Sequence, residues 1–389
     1  MKLGRSYRNI IFPVVAGILA LSGGNFLSAS PAGAAASSGE AGGKADWEQK
    51  WMATLAGARA EGKLTIYGSA LGAGFRSIVA PKLKDNYGIN LDIVSGAQAQ
   101  MLSKITLEGQ AGIHNVDMTL FSPTAYLDFL KPKNLVVPLA PHLILPTVKD
   151  NKSWLSGKLP MFDKEGTVMA LTSTYFSYIL VNTQVVKDEI HSYRDLLNPK
   201  WKGKIVMFDP AGGPGPGETF VNFFIPRIMG VEGGEKYLKD LAKQDIVYVR
   251  DQRQLAEWVA KEKYPVGIAV TTTIVGDFVK SGAPIAFVRP QEGGLMAVAA
   301  SCLAIVNKAP HANAAAVFLN WVLTDEGQRL FAEAYNAPPR RLGVPYLGSD
   351  QFGIVRPKDK TVEADEAFYV NGRKTAHFAK EIFGPVINK

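Results

Sequence analysis

Short apolar strands and helix-length amphipathic stretches alternate along this chain in two separate runs, and few folds accommodate that pattern. In the first run, a helix over Trp47 to Gly62 carries Trp51, Leu55 and Ala58 at helical spacing. Lys63–Tyr67, Asn90–Val94 and Val116–Leu120 read as strands, with amphipathic stretches after each. Ser95-Gly-Ala-Gln98 reads as a capping box opening the helix that bears Met101, Leu102 and Ile105. The second run has strands at 204–208, 246–249 and 266–270, and helices near 217–229, 232–243, 252–262 and 274–281. Such βα alternation argues for parallel sheets covered by helices.

A proline-rich region from Pro132 to Pro160 precedes two long extended segments, Val168 to Asn182 and Leu295 to Val306. We read these as crossings between two lobes. The expected organisation is lobe 1 over 47–170, lobe 2 over 171–298, and a return to lobe 1 over 299–389 with the C-terminal helices. Helices from about 311 to 335 are expected to pack back on lobe 1. With 389 residues the chain exceeds one ordinary domain, which agrees with two lobes.

The N-terminus carries Lys2, Arg5 and Arg8, then a mostly apolar run from Ile10 to about Leu21, then small residues with Ala32-Gly33-Ala34. This is the pattern of a secretory signal peptide over 1–34, followed by an Ala/Gly/Ser-rich leader over 35–46. The apolar run is too short for a bilayer span, which needs about 20 residues. Removing 1–34 takes away three positive charges and no negative ones, so the net charge falls from +8 to +5. That mild excess suits an anionic ligand, and also plain solubility. Basic residues are not clustered or interleaved with aromatics, which argues against nucleic-acid binding. The single Cys302 sits in an apolar stretch and excludes an intramolecular disulfide.

The stretch Tyr193-Arg-Asp-Leu-Leu-Asn-Pro-Lys-Trp-Lys-Gly-Lys-Ile-Val-Met-Phe-Asp-Pro210 reads as a helical turn, an Asn-Pro break, a tight turn at Gly203 and a buried strand. Together with Leu64-Thr-Ile-Tyr-Gly68, the segment Phe318 to Leu330 and Tyr335-Asn-Ala-Pro-Pro-Arg340, it resembles the solute-binding proteins of ABC importers in the iron, thiamine, polyamine and phosphonate group. The resemblance covers most of the chain beyond the leader. It implies a two-lobed α/β fold of the type II periplasmic binding class, each lobe a mainly parallel sheet flanked by helices. It also implies a monomer in the periplasm that captures a small solute, performs no chemistry, and hands it to a permease in the inner membrane.

Ligands of open α/β sheets gather beyond the carboxyl ends of strands. Ser69, Ser95, Gly96, Ser122 and Thr124 occupy such places in the first run. For Ser95 simple helix capping is an equally good account. In the second run the loop from Asp209 to Thr219 supplies Gly213 and Thr219, and it serves equally well as a rigid connector. Thr174 and Tyr175 lie in the first crossing, with Tyr175 the expected cleft aromatic. Arg340 suits an oxyanion or, as well, a solvated surface role.

Thr271 and Thr272 stand where ferric-iron-binding relatives are implied to carry adjacent tyrosines. Neutral hydroxyls cannot replace phenolate charge, so a ferric cargo is the alternative rather than the main expectation. The five histidines show no metal-ligand spacing, and neither a metal nor a cofactor is expected. A secreted enzyme on this architecture is the remaining alternative, without a nucleophile motif to support it.

Overall fold

Among the described residues, thirteen short strands order themselves into three sheets. The computed structural model describes residues 41–387 except Ala70 and Ser349. The signal peptide over 1–34 and the first part of the leader therefore lie outside the described residues. Lys44–Lys389 form one compact unit.

The strands are β1 (Lys63–Gly68), β2 (Asn90–Ser95), β3 (Met118–Phe121), β4 (Met169–Ala170), β5 (Thr174–Phe176), β6 (Ile179–Asn182) and β7 (Ile205–Phe208). They continue as β8 (Val247–Val249), β9 (Val266–Ile268), β10 (Ile285–Phe287), β11 (Gly294–Ala297), β12 (Cys302–Ile305) and β13 (Thr361–Glu363). The first sheet has order β2-β1-β3-β12-β4, the second β10-β6-β9-β7-β8, and a small third β13-β11-β5.

Both large sheets are mixed rather than mainly parallel. β1 pairs in parallel with β2 and β3, whereas β12 runs antiparallel to β3 and β4. In the second sheet β7 is parallel to β8 and β9, while β6 runs antiparallel to both of its neighbours, β9 and β10. The antiparallel strands are those next to the crossings. A chain leaving one sheet at its end must run back through the other, so crossing reverses strand direction.

Each extended segment expected from the sequence breaks into pieces that serve different sheets. Val168 to Asn182 contributes β4 to the first sheet, β5 to the small one and β6 to the second. Leu295 to Val306 contributes β11 and β12 to two sheets. The polar middle of the first segment is where the chain passes between them. Thr172 Oγ1 donates to Ser301 Oγ at 2.7 Å, so the two crossings are bonded to each other.

Of the four apolar clusters among the described residues, two are much the largest. Ile66, Met118 and Leu303 belong to the first, joined by Phe318 and Trp321 from the late helix Ala312–Val322 and by Leu330 and Phe331 from the next, Asp325–Tyr335. Trp51 and Leu55 of the helix Ala41–Glu61 pack against it. That helix begins inside the expected leader. The second core gathers Ile205, Phe220, Phe224 and Ile268, together with Phe368, Phe378 and Phe383 from the last part of the chain.

Residues 366–387 thus pack on the second sheet's core, fastened by Asn222, which accepts from Ala379 N–H and donates to Ala376 O. The same tail also reaches the first lobe. Lys131 Nζ meets Asp163 at 3.0 Å, Glu165 at 2.7 Å and Glu366 at 2.6 Å.

Two strands escaped the sequence reading. β10 and β13 span three residues each. Alternation over so few positions carries no periodic signal.

Candidate functional site

The crossings decide which ends of the sheets meet. β4 ends at Ala170, opposite Cys302 where β12 begins, and Cys302 in turn lies opposite Phe121 at the end of β3. Both crossings therefore attach to the first sheet at the carboxyl rim of its parallel strands. In the second sheet Ile179 opens β6 opposite Ile268, the last residue of β9, and Phe287 ends β10 beside Leu180. Both crossings attach there at the carboxyl rim as well. A chain from Ala170 to Ile179 spans at most about 30 Å. The two rims are thereby tethered near each other, with β5, β11 and β13 between them.

The first rim brings together most of the residues expected there. Gly68 pairs with Ser95 and with Leu120, so three strands end at one level. Ser69 N–H donates to Leu120 O at 3.3 Å, and Gly96 N–H to Gly68 O at 3.2 Å. Ser122 Oγ lies 3.0 Å from Thr124 Oγ1.

The capping box expected at Ser95 does not form. Ser95 ends β2, the helix runs over Gln98–Gln110, and its N-cap is Ala97, without a side-chain bond. Gln98 has another partner: its Oε1 accepts from Ser122 N–H at 3.3 Å and Ser122 Oγ–H at 2.8 Å. Gln98 was missed as a rim residue because its bond spans two loops rather than one turn. A true capping box forms at Ser192, whose N–H donates to Asp195 Oδ2 at 2.9 Å while its Oγ accepts from Arg194 N–H at 3.0 Å.

The second rim is differently built. Asp209 ends β7 and is buried; it accepts from Ala211 N–H at 2.9 Å and from Arg250 Nε–H at 2.8 Å. Arg250 remains 76% exposed at its side chain, so its charge is oriented yet open to solvent. Gly213 adopts φ +121°, a region that excludes most side chains. Thr219 Oγ1 donates to Gly215 O at 3.0 Å, which spends its proton on the turn that opens the helix. Ala269, just past β9, has φ +66°. A buried non-glycine residue held there marks strain at the strand end.

Thr271 N–H donates to Gln252 Oε1 at 2.8 Å. Thr272 is buried and donates to Asp350 Oδ2 at 2.8 Å. Asp350 also accepts from Gly353 N–H at 3.0 Å. Burial pushes its carboxyl above the ordinary range, and the Thr272 hydroxyl opposes that shift. The loop carrying Asp350 thus latches onto the start of the helix Thr272–Lys280.

Between the rims, Thr174 is half-buried and Tyr175 buried. The Arg289 guanidinium lies over the Tyr175 ring, 4.3 Å from its centre, and pairs with Asp359. Burial first, then Asp359, pushes the Tyr175 hydroxyl up to about 12 against the pull of Arg289. One face of the expected cleft aromatic is therefore already covered by a cation. Ser173 Oγ is buried without a hydrogen-bond partner among the described residues.

Arg340 is placed elsewhere. It is 1% exposed, its guanidinium pairs with Glu363 and approaches Ser156 Oγ at 3.5 Å, and its N–H donates to Gln328 Oε1 at 3.1 Å. It ties β13 to the first lobe instead of facing open space. The Pro-Pro turn before it carries the chain inward: Pro338 O accepts from Ser173 N–H.

Among the described residues no group of three or more His, Cys, Asp or Glu could hold a metal ion. Also among them, no helix is long and apolar enough to cross a membrane.

The statistical model of one protein family, described as bacterial extracellular solute-binding protein, matches residues 77–365. No curated protein matches in sequence. Solved structures match in fold. A Bordetella ferric binding protein has a TM-score of 0.65 at 19% identity, covering 82% of this chain and 98% of that one. The Trichodesmium protein IdiA (FutA), in complex with iron and citrate, has a TM-score of 0.64 at 19% identity, with 83% and 99% covered. The periplasmic binding protein AfuA of Actinobacillus pleuropneumoniae, with fructose-6-phosphate bound, has a TM-score of 0.52 at 18% identity, with 84% and 96% covered.

Proposed function

The chain belongs to the bacterial extracellular solute-binding proteins, and from that premise we propose that it captures a small anionic solute between its two carboxyl rims and delivers it to an ABC permease. It would act in the periplasm, as a monomer, without altering its cargo. The observation that carries this reading is the tethering of both rims by the two crossings. That arrangement leaves the space between the rims as the natural seat for a solute. Closing the lobes about the small hinge sheet would enclose it.

The anionic preference rests on the rims' chemistry. The first rim offers hydroxyls and backbone N–H groups, and the loops 68–74, 95–98 and 121–125 contain no charged residue. On the second rim Arg250 is aimed by buried Asp209. Of the expected contacts, Ser69, Ser95 and Gly96 are retained for the first rim, with Gly213 and Thr271 for the second, while Ser122 bonds to Gln98 and to Thr124 within the rim. Thr174, Thr219 and Thr272 serve the walls through the bonds and contacts they already make.

The relatives of known fold include proteins described as ferric binding and one holding fructose-6-phosphate. A ferric cargo would need phenolates. Tyr175 has one ring face under Arg289, and Tyr178 is buried in the second core, so neither stands open to a metal ion. Thr271 and Thr272 supply no replacement charge.

A thermal-shift screen tests the proposal, with citrate, fructose-6-phosphate, phosphonates, thiamine, spermidine and ferric citrate. A ligand at 100 times its Kd adds about 2.7 kcal/mol to the folded state. Stabilisation by an organic anion is the expected result. Stabilisation by ferric salts or by the cations alone would overturn it.

A further inference from the structure

Gln98 is held from one side only, and the way it is held fixes which of its polar atoms stays free. Its Oε1 accepts from Ser122 N–H at 3.3 Å and from Ser122 Oγ–H at 2.8 Å. A backbone N–H can only donate, so it must meet the carboxamide oxygen and not its nitrogen. The amino group Nε2 is therefore on the far side from Ser122, and among the described residues no hydrogen bond to it is formed.

The polarity extends one residue further. With the Ser122 hydroxyl proton committed to Gln98, the 3.0 Å contact between Ser122 Oγ and Thr124 Oγ1 has Thr124 as donor. Protons thus run from Thr124 to Ser122 to Gln98, and the chain ends on two unspent N–H bonds. These belong to a half-buried side chain that opens the helix Gln98–Gln110, directly after the carboxyl end of β2. No acidic side chain stands in the three loops of this rim to use them.

We infer that Gln98 is a specificity-determining residue of the cleft, whose Nε2 amino group donates to the oxyanion of the solute, a carboxylate or a phosphate. The inference rests on the proposed cleft-binding function and sharpens it: the first rim offers aimed donors to acceptor oxygens and no carboxylate to a cationic group. Ser122 and Thr124 then act as positioning residues for Gln98, spending their own protons to orient it.

Gln98→Glu is the discriminating change. It keeps the side chain's shape and an oxygen for Ser122, yet replaces the donor with a negative oxygen. Calorimetric titration would use citrate, fructose-6-phosphate, inorganic phosphate and spermidine against both proteins. The expected result is that the anion bound most tightly by the wild type loses tenfold or more in affinity, while the unliganded melting temperature is unchanged. Citrate or a phosphate as that anion separates the carboxylate source from the phosphate one.

A second measurement leaves the chain unaltered. The Gln98 side-chain NH₂ resonances of the wild type, assigned by NMR, are expected to shift when the binding anion is added. Undiminished affinity in Gln98→Glu, or unmoved Gln98 resonances while others shift, would overturn this role and leave the cleft function intact. Binding of spermidine alone, or of none of the four probes, would overturn both.

Discussion

At the scale of single residues, charge and burial sort the arginines and carboxylates into roles that sequence cannot assign. Arg340 looked like an anion clamp because it follows Pro-Pro, but its guanidinium is buried against Glu363. Arg340→Met should cost about 3 kcal/mol in urea unfolding by removing the buried partner of Glu363, which keeps only the more exposed Lys158 at 3.5 Å, and should leave the affinity of a bound anion within a few-fold.

Asp350 gives a prediction with a sign. Its carboxyl is raised by burial, so the folded state holds the proton more readily than the unfolded one. Its contribution therefore favours the fold at low pH and is lost as pH rises through the raised value. Asp350→Asn keeps a neutral group of the same shape, and Thr272 can rotate its hydroxyl to suit. The variant should melt above the wild type near about pH 8 and close to it near about pH 4. A melting difference independent of pH would contradict the burial argument.

At the scale of elements, most strands and helices were legible because period and composition agree. Ile205–Phe208 between Gly203 and Asp209 is an example: Gly203 adopts φ +72° in the turn, and the strand is buried. The failures have a common physical cause. Ser95 looked like a cap because Gln stands three residues on, yet Gln98 bonds across to Ser122 on the next strand's loop. Local spacing cannot see a partner brought in by strand pairing. The crossings were legible as extended segments, while their division among three sheets was not, since it depends on pairing partners far away in the sequence, such as Ala170 with Cys302.

The loop after β7 carries its own prediction. A Cβ on Gly217 would come within 2.3 Å of Phe208 O, a backbone atom that cannot step aside. Gly217→Ala should destabilise by about 1–3 kcal/mol. It should also weaken anion binding, because Asp209 and the base of the loop must shift. Unfolding and titration on the same sample check both.

At the scale of the whole molecule, the tail from Glu366 onward bridges what the sheets separate. It sits on the second core through Phe368, Phe378 and Phe383. It meets the first lobe through Lys131, which also neutralises Asp163, a side chain with no exposure. Lys131→Met would take the cation from buried Asp163 and from Glu366 and should cost about 3 kcal/mol in urea unfolding. The tail's attachment was not legible in the sequence, because its aromatics carry no information about which of two cores they join.

The same topology that hides such contacts makes the central claim simple. Both crossings leave and enter at carboxyl rims, and the space between those rims is the seat we propose for a solute. The direct test is ligand-observed NMR on one sample holding the purified chain with citrate, fructose-6-phosphate, inorganic phosphate, spermidine and thiamine together. The account predicts that signals of an organic anion respond to the protein, that the cations do not, and that every solute is unchanged after prolonged incubation. Response of the cations alone, or conversion of any solute into a product, would contradict it.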